Sequence, residues 1–220
     1  MDFFHKHSKP KVEDKPGLKV KICGIRRSQA AEVAVSSGAD YLGFNFVNSS
    51  RHFISPVHAR EIINHVRHKA AIVGVFQNMP VHEVNELIGY LKLHVVQLHG
   101  REDAGYIQKI KAPVIKSVSL PRDFEVDQVI EHLQGYNAHH ILLDREQQGF
   151  GEPVDLQTAA KITQYVPIFL AGGLDPVNVA EAVIGTNPYG VDVASGIETN
   201  GIEDVNKISQ FVRNAKGVGK

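Results

Sequence analysis

Two apolar periods take turns along this chain. Short runs rich in Val, Ile, Leu and Phe read as strands over 19–23, 40–46, 71–76, 94–98, 113–118, 140–144, 167–171 and 189–193. Between them, apolar residues recur at helical spacing over 28–37, 56–67, 81–91, 102–111, 124–133, 155–164, 176–185 and 203–215. Eight strand-then-helix units of roughly 25 residues each predict an α/β fold, a (β/α)8 TIM barrel forming a single domain over 18–220. Residues 1–17 are polar, rich in Lys, His and Pro, and read as a flexible N-terminal arm. Local chemistry marks the same boundaries. Ser28 and Asp155 suit N-caps, Gly38 suits the residue after a helix, and Pro56 and Pro176 suit first helical turns after Ser55 and Asp175. The competing architecture is a doubly wound open sheet. It would want a glycine-rich turn after the first strand, and the turn here is Cys23-Gly24-Ile25 with no GxGxxG.

Composition narrows the class without changing the fold. Lys+Arg and Asp+Glu balance at 24 each in 220 residues, so no basic field predicts a nucleic-acid partner. No apolar run approaches a bilayer span, and the N-terminus lacks the apolar segment of a secretion signal. The 12 histidines are scattered, with no HExxH and no paired Cys/His site, so no metal is expected. The single cysteine fits a reducing cytoplasm.

That cysteine closes the first strand in Lys19-Val20-Lys21-Ile22-Cys23-Gly24-Ile25. With no second thiol it is neither half of a disulfide within the chain nor part of a thiolate cluster. It is either a small buried apolar residue or a base or nucleophile at a barrel mouth. Active sites of such barrels lie at the C-terminal strand ends. Those ends carry Cys23, Asn45, the Asn48-Ser49-Ser50-Arg51 loop, Gln77, Gln97, His99-Gly100, Ser117, Asp144, Gly172-Gly173 and Ser195-Gly196. The glycines after strands seven and eight suit phosphate, because backbone N–H groups close on an anion where no Cβ intervenes, and a short helix opening near 197 would aim at the same point. Asp144 ends an apolar strand, where partial desolvation suits an acid; a cap or an ion pair with Arg145 is the other reading. Arg51 is a solvated loop residue or a partner for a carboxylate.

Taken together, KICGI (21–25), GADYLGFNF (38–46), SSRHFISP (49–56), VGVF (73–76), VVQLHG (95–100), ILLD (141–144), LAGGLDPVNV (170–179) and VDVASGIE (191–198) resemble the phosphoribosylanthranilate isomerase family. The resemblance implies a cofactor-free barrel enzyme of tryptophan biosynthesis. Its reaction is the Amadori rearrangement of N-(5-phosphoribosyl)anthranilate to 1-(2-carboxyphenylamino)-1-deoxyribulose 5-phosphate. It implies Cys23 as general base, Asp144 as general acid and Arg51 facing the anthranilate carboxylate. Gln97, His99, Gly172, Gly173, Ser195 and Gly196 are assigned to substrate binding. The family mechanism wants a thiolate, so the site should depress the thiol pKa, and Lys21 on the same strand face is one source of positive potential.

One region departs from the family pattern. After strand six the family has Gly-Gly-Thr-Gly leading to Phe-Asp-Trp. This chain has Gln147-Gln148-Gly149-Phe150-Gly151-Glu152-Pro153-Val154-Asp155-Leu156, and Arg145 directly follows the acid. The rival reading is therefore a phosphate-binding barrel of low catalytic activity that serves as a partner or regulator. Other phosphosugar enzymes fit less well: a triosephosphate-type isomerase wants a glutamate at the sixth strand tip, and an indole-glycerol-phosphate synthase wants lysines at the tips. Either a monomer or a homodimer is compatible with the sequence.

Overall fold

A computed structural model describes residues 17–119, 125–144 and 155–219. In chain order the elements are β1 (Lys19–Ile22), α1 (Ser28–Ser37), β2 (Tyr41–Asn45), α2 (Pro56–Val66), β3 (Ala71–Phe76), α3 (Val81–Leu91), β4 (Val95–Leu98) and α4 (Ala104–Ile107). They continue with β5 (Val114–Val118), α5 (Val126–Gly135), β6 (His140–Asp144), α6 (Leu156–Ile162), β7 (Ile168–Ala171), α7 (Val179–Thr186), β8 (Gly190–Val193) and α8 (Val205–Val218). The eight strands close into a barrel in sequence order, β8 pairing β1, and the pairs are parallel. This is the (β/α)8 barrel that the alternating periods predict. A two-stranded hairpin, β9 (Glu198–Thr199) and β10 (Ile202–Glu203), follows β8.

Register and side-chain alternation sort the strand residues into two cores. Val20, Ile22, Leu42, Phe44, Val96, Leu98, Ile141, Leu143, Val191 and Val193 face outward and pack under the helices in the larger core. The smaller core lies inside the barrel and is built on Ile115, Leu142, Phe169 and Ala171, with Tyr41, Val95 and Tyr189 against it. No helix among the described residues is long and apolar enough to cross a membrane.

Several boundaries shift, each for a local reason. Ser28 is the first helical residue, not the cap; Arg27 holds the cap position without a side-chain bond. Ser55 and Asp155 do cap, accepting from His58 N and Thr158 N. α4 is shorter than the predicted 102–111 because the chain tightens to i→i+3 bonds at Lys109 and Ile110 before the extended approach to Pro113. α7 starts after Pro176, because Asp175 Oδ1 accepts from Val177 N (2.7 Å) and Asn178 N (2.9 Å) and turns the chain first. In place of a helix opening near 197 there is one 3-10 turn, Ser195–Ile197, and then the hairpin. Asn200 (φ 53°) and Gly201 (φ 75°) supply the hairpin's left-handed turn. Residues 1–16 and 145–154, Arg145 among them, lie outside the described residues, so the arm and most of the divergent loop do too.

An aromatic plug fills the floor of the barrel. His140 stacks on Tyr189 (4.2 Å between centroids, 22°) and meets Phe169 edge-on. Its Nδ1 is buried without a partner, and burial followed by repulsion from His139 lowers its pKa to about 4. The unfolded chain takes up this proton near 6.5, whereas the folded barrel resists until about 4. Stability is therefore unaffected above that window, falls as pH drops through it, and levels off below. The loss is expected to be ~2 kcal/mol after discounting for partial exposure. His140→Phe keeps the stacked plate and removes the proton site. Urea unfolding at pH 7 and pH 4.5 should show a smaller pH dependence for the variant than for the parent; equal dependence would remove His140 as the cause.

Candidate active site

Because the paired strands run parallel, their C-terminal ends share one rim. Cys23 directly follows β1 and extends its ladder, its N–H donating to Val193 O at 2.8 Å. Asp144 is the last residue of β6, half-buried, and pairs in register with Ala171 of β7. Alternation puts it on the same inward face as Leu142. Cys23 and Asp144 thus stand at one end of the barrel, with β7 and β8 between their strands. An acid–base pair acting on one substrate requires that juxtaposition.

Lys21 and Asp192 form an ion pair inside the barrel, directly below Cys23. They are register partners on β1 and β8, with Nζ 2.7 Å from Oδ1 and the Lys21 side chain 0% exposed. The Lys21 ammonium also acts on the Cys23 thiol and favours its ionised form. Gly43 of β2 makes room for this cluster: a Cβ there would lie 2.7 Å from Sγ and 3.2 Å from Lys21 Nζ. The electrostatics differ from expectation. Burial raises the thiol pKa most, Lys21 opposes that, and Asp192 adds to it, so the net shift is upward. Lys21 pulls in the expected sense, but desolvation of a thiol only 8% exposed outweighs it. The ammonium itself is held charged, its pKa raised because Asp192 and Cys23 overcome its own burial penalty.

The glycine loops lie between Asp144 and Cys23. Gly172 (φ 83°) and Gly173 (φ 63°) both occupy the left-handed region. That conformation aims successive N–H groups into a concave, anion-accepting backbone. Gly196 packs against the same loop so closely that a Cβ would run into the Leu174 carbonyl. Asn178 Nδ2 donates to Gly173 O at 2.7 Å and steadies the turn. Ser195 opens the neighbouring 3-10 turn.

On the opposite side stand Gln97 and His99. Gln97 shares the inward face of Val95, is 2% exposed, and keeps a buried Oε1 with no hydrogen-bond partner. His99 follows β4 at the mouth as an exposed residue. Its pKa is lowered, first by desolvation and then by Lys116, and it also feels Asp192 and Lys21. The imidazole is therefore neutral at neutral pH.

Arg51 is 61% exposed, and its Nη2 lies 3.2 Å from Glu198 Oε2. Glu198 also holds Arg26 Nη2 at 2.8 Å, and His52 Nε2 is 3.1 Å from Oε1 without hydrogen-bond alignment. Arg26 donates further to Arg51 O (3.0 Å) and Gly201 O (2.8 Å), tying the β2–α2 loop to the hairpin. Strand-tip reasoning does not single out Arg26, Asp192 or Glu198. The Asn200-Gly201 dipeptide is a readable hairpin signal, and it places Glu198 beside the rim. Among the described residues, no group of three His, Cys, Asp or Glu side chains is placed to hold a metal ion.

Comparison with known proteins agrees with this geometry. Residues 20–214 match the family model described as N-(5'phosphoribosyl)anthranilate (PRA) isomerase. N-(5'-phosphoribosyl)anthranilate isomerase of Bacillus anthracis is 38% identical over 209 residues, covering 92% of this chain and all of the relative. The Geotalea daltonii enzyme of the same name is 39% identical over 90% of this chain and 96% of the relative. The phosphoribosyl anthranilate isomerase structure from Thermotoga maritima superposes with a TM-score of 0.82 at 34% identity, covering 91% of this chain and 99% of that one. A further structure (TM-score 0.80, 34% identity, 91% and 99% coverage) is of phosphoribosyl anthranilate isomerase in complex with reduced 1-(o-carboxyphenylamino)-1-deoxyribulose 5-phosphate. Over nearly its whole described length, then, this chain belongs to the N-(5'-phosphoribosyl)anthranilate isomerase family.

Proposed function

We propose that this rim carries out the family's Amadori rearrangement of N-(5-phosphoribosyl)anthranilate, with Cys23 as base and Asp144 as acid. The observation that carries the reading is the placement of these two residues on one rim with the paired glycine turns between them. Asp144 gives a proton to the furanose ring oxygen, and the C1′–O bond breaks to leave a C1′=N iminium. Cys23, as thiolate, removes the C2′ proton, and the electron pair of that bond neutralises the iminium to an enolamine. Loss of the enol proton and protonation at C1′ complete the aminoketose. The raised thiol pKa means that the resting site holds mostly thiol, and the Lys21 ammonium keeps the thiolate within reach. Gly172, Gly173, Ser195 and Gly196 bind the phosphate. Arg51 meets the anthranilate carboxylate, Gln97 Oε1 accepts from the substrate, and neutral His99 contacts it at the mouth.

The test is loss of anthranilate fluorescence with purified protein, backed by growth of a tryptophan auxotroph carrying the gene. A rate no faster than buffer alone would favour the phosphate-binding regulator instead. Arg51→Ala should raise KM about 10-fold or more with a smaller change in kcat, because one charge-assisted contact is lost without touching the proton transfers. A purely kcat effect would remove Arg51 from substrate binding. The same reading places the protein in the cytoplasm as a monomer or homodimer whose partner is the small phosphoribosyl substrate. Size-exclusion chromatography with light scattering decides between the two assemblies.

A further inference from the structure

A second buried ion pair lies outside the rim. Lys116 stands between Ile115 and Ser117 on β5, so its side chain leaves the barrel on the outward face. There Nζ lies 3.0 Å from Glu102 Oε2, with both side chains 2% exposed. Desolvating two ions costs several kcal/mol each, and an apolar pair of similar volume often serves stability as well. What distinguishes this pair is the backbone it holds. Glu102 Oε2 accepts from Gly100 N at 2.9 Å, and Oε1 accepts from Asn78 N at 2.7 Å. Lys116 Nζ donates to Gly100 O at 2.6 Å and Leu98 O at 3.3 Å. Both polar backbone groups of Gly100 are thus taken by the two partners of one ion pair. The residue has no slack, since a Cβ on it would run into Asn78 and lie 2.7 Å from Glu102 Oε1. Asn78 closes the circuit by accepting from Arg101 N at 2.8 Å.

The residue next to this clamp is His99. Its N–H donates to Phe76 O at 2.8 Å, and its carbonyl accepts from Gln77 Nε2 at 3.2 Å. We propose that the Lys116–Glu102 pair is a positioning device for His99, gripping the Gly100 peptide from behind the sheet and so fixing where the imidazole stands in the substrate mouth. The inference rests on the reading of His99 as a substrate-binding residue. Four charged groups act on the imidazole: Lys116 and Glu102 from behind, and Lys21 and Asp192 across the mouth. Lys116 is the largest electrostatic influence among them and disfavours a charged ring. The clamp thereby presents a neutral imidazole, able to donate and to accept, beside a rim that already carries the Lys21 ammonium.

The experiment uses the full chain in five forms: parent, His99→Ala, Glu102→Gln, the double variant Glu102→Leu with Lys116→Met, and that double variant with His99→Ala added. Removing both charges together avoids stranding one of them. Two readouts are taken, steady-state kinetics and the His99 ring titration by NMR in the absence of substrate. In the double variant we expect the His99 midpoint to rise and KM to rise about 10-fold, with kcat changed less. Adding His99→Ala to it should give little further loss, since coupled residues are not additive. Glu102→Gln should raise KM less and move the His99 midpoint down, because it removes the carboxylate that favours a charged ring and leaves the Lys116 ammonium in place. If the double variant keeps the parental KM and the parental His99 midpoint, the pair only fills space and the inference is overturned. If His99→Ala leaves KM unchanged while the midpoint still moves in the double variant, the clamp stands and the substrate role of His99 fails. Should the double variant not fold, Glu102→Gln carries the test, and a parental KM with a parental His99 midpoint in that variant would overturn the inference.

Discussion

Cys23→Ala and Asp144→Asn are each expected to slow isomerisation by about 10²–10⁴-fold, the usual size of one general acid–base step. The fold should survive both. Alanine removes one small buried sulfur and adds no atom, and asparagine keeps the shape and acceptor oxygen of Asp144 while supplying no acidic proton. Cys23→Ser should fare no better than alanine, because a hydroxyl is not ionised at neutral pH. The measurements are anthranilate-fluorescence decay for rate and urea midpoint for fold. Either variant retaining more than about a tenth of the parental rate, with an unchanged midpoint, would take that residue out of proton transfer.

The fold is legible in the sequence because a barrel repeats one signal, and a boundary error in one unit does not disturb the others. The ends of α4 and α7 differ from the periodicity by a few residues, yet the barrel closes regardless. The rim is legible for the same reason: parallel strands make "last residue of the strand" a spatial statement, and that is enough to find Cys23, Asp144, Gln97, His99 and the glycine turns. Partnerships are not legible. Asp192 reads as one more polar residue within a strand until the β8–β1 register sets it against Lys21, a pairing across 171 positions. Lys116 reads as a strand lysine until the β4–α4 loop folds Glu102 over it. The direction of the Cys23 shift escapes the sequence because it is decided by burial, which a strand-tip position does not measure.

The two buried ion pairs divide the work between the faces of the sheet. Lys21–Asp192 lies inside, beneath the Cys23 thiol, whereas Lys116–Glu102 lies outside and holds the Gly100 backbone next to His99. Both are fixed by backbone register or backbone hydrogen bonds, not by surface side chains, so neither depends much on ionic strength. Arg51 is the contrast. It is largely exposed and held through Glu198, so weakening of substrate binding by salt should trace to Arg51 more than to the interior.

Lys21→Met is expected to destabilise the barrel by about 3–5 kcal/mol, because it strands the Asp192 carboxylate in the interior. That is a large share of the ~5–15 kcal/mol typical of a folded domain, so the urea midpoint should fall sharply while the protein remains folded at 25 °C. Lys21→Met together with Asp192→Leu should recover much of the loss, since no buried charge is then left alone. Stability alone would not separate a structural pair from one that tunes the thiol, and the pH profile does. The base must be deprotonated, so kcat/KM rises with pH through the thiol titration. Lys21 lowers that pKa and Asp192 raises it. Lys21→Met should therefore move the rising limb to higher pH. Asp192→Asn, which still offers Lys21 an acceptor, should move it to lower pH. Two variants that both weaken the fold would then shift the limb in opposite directions, which general loosening of the barrel cannot produce. A limb that stays in place in both would leave Lys21–Asp192 a purely structural pair, and the Lys21 ammonium would no longer explain how a buried thiol serves as a base.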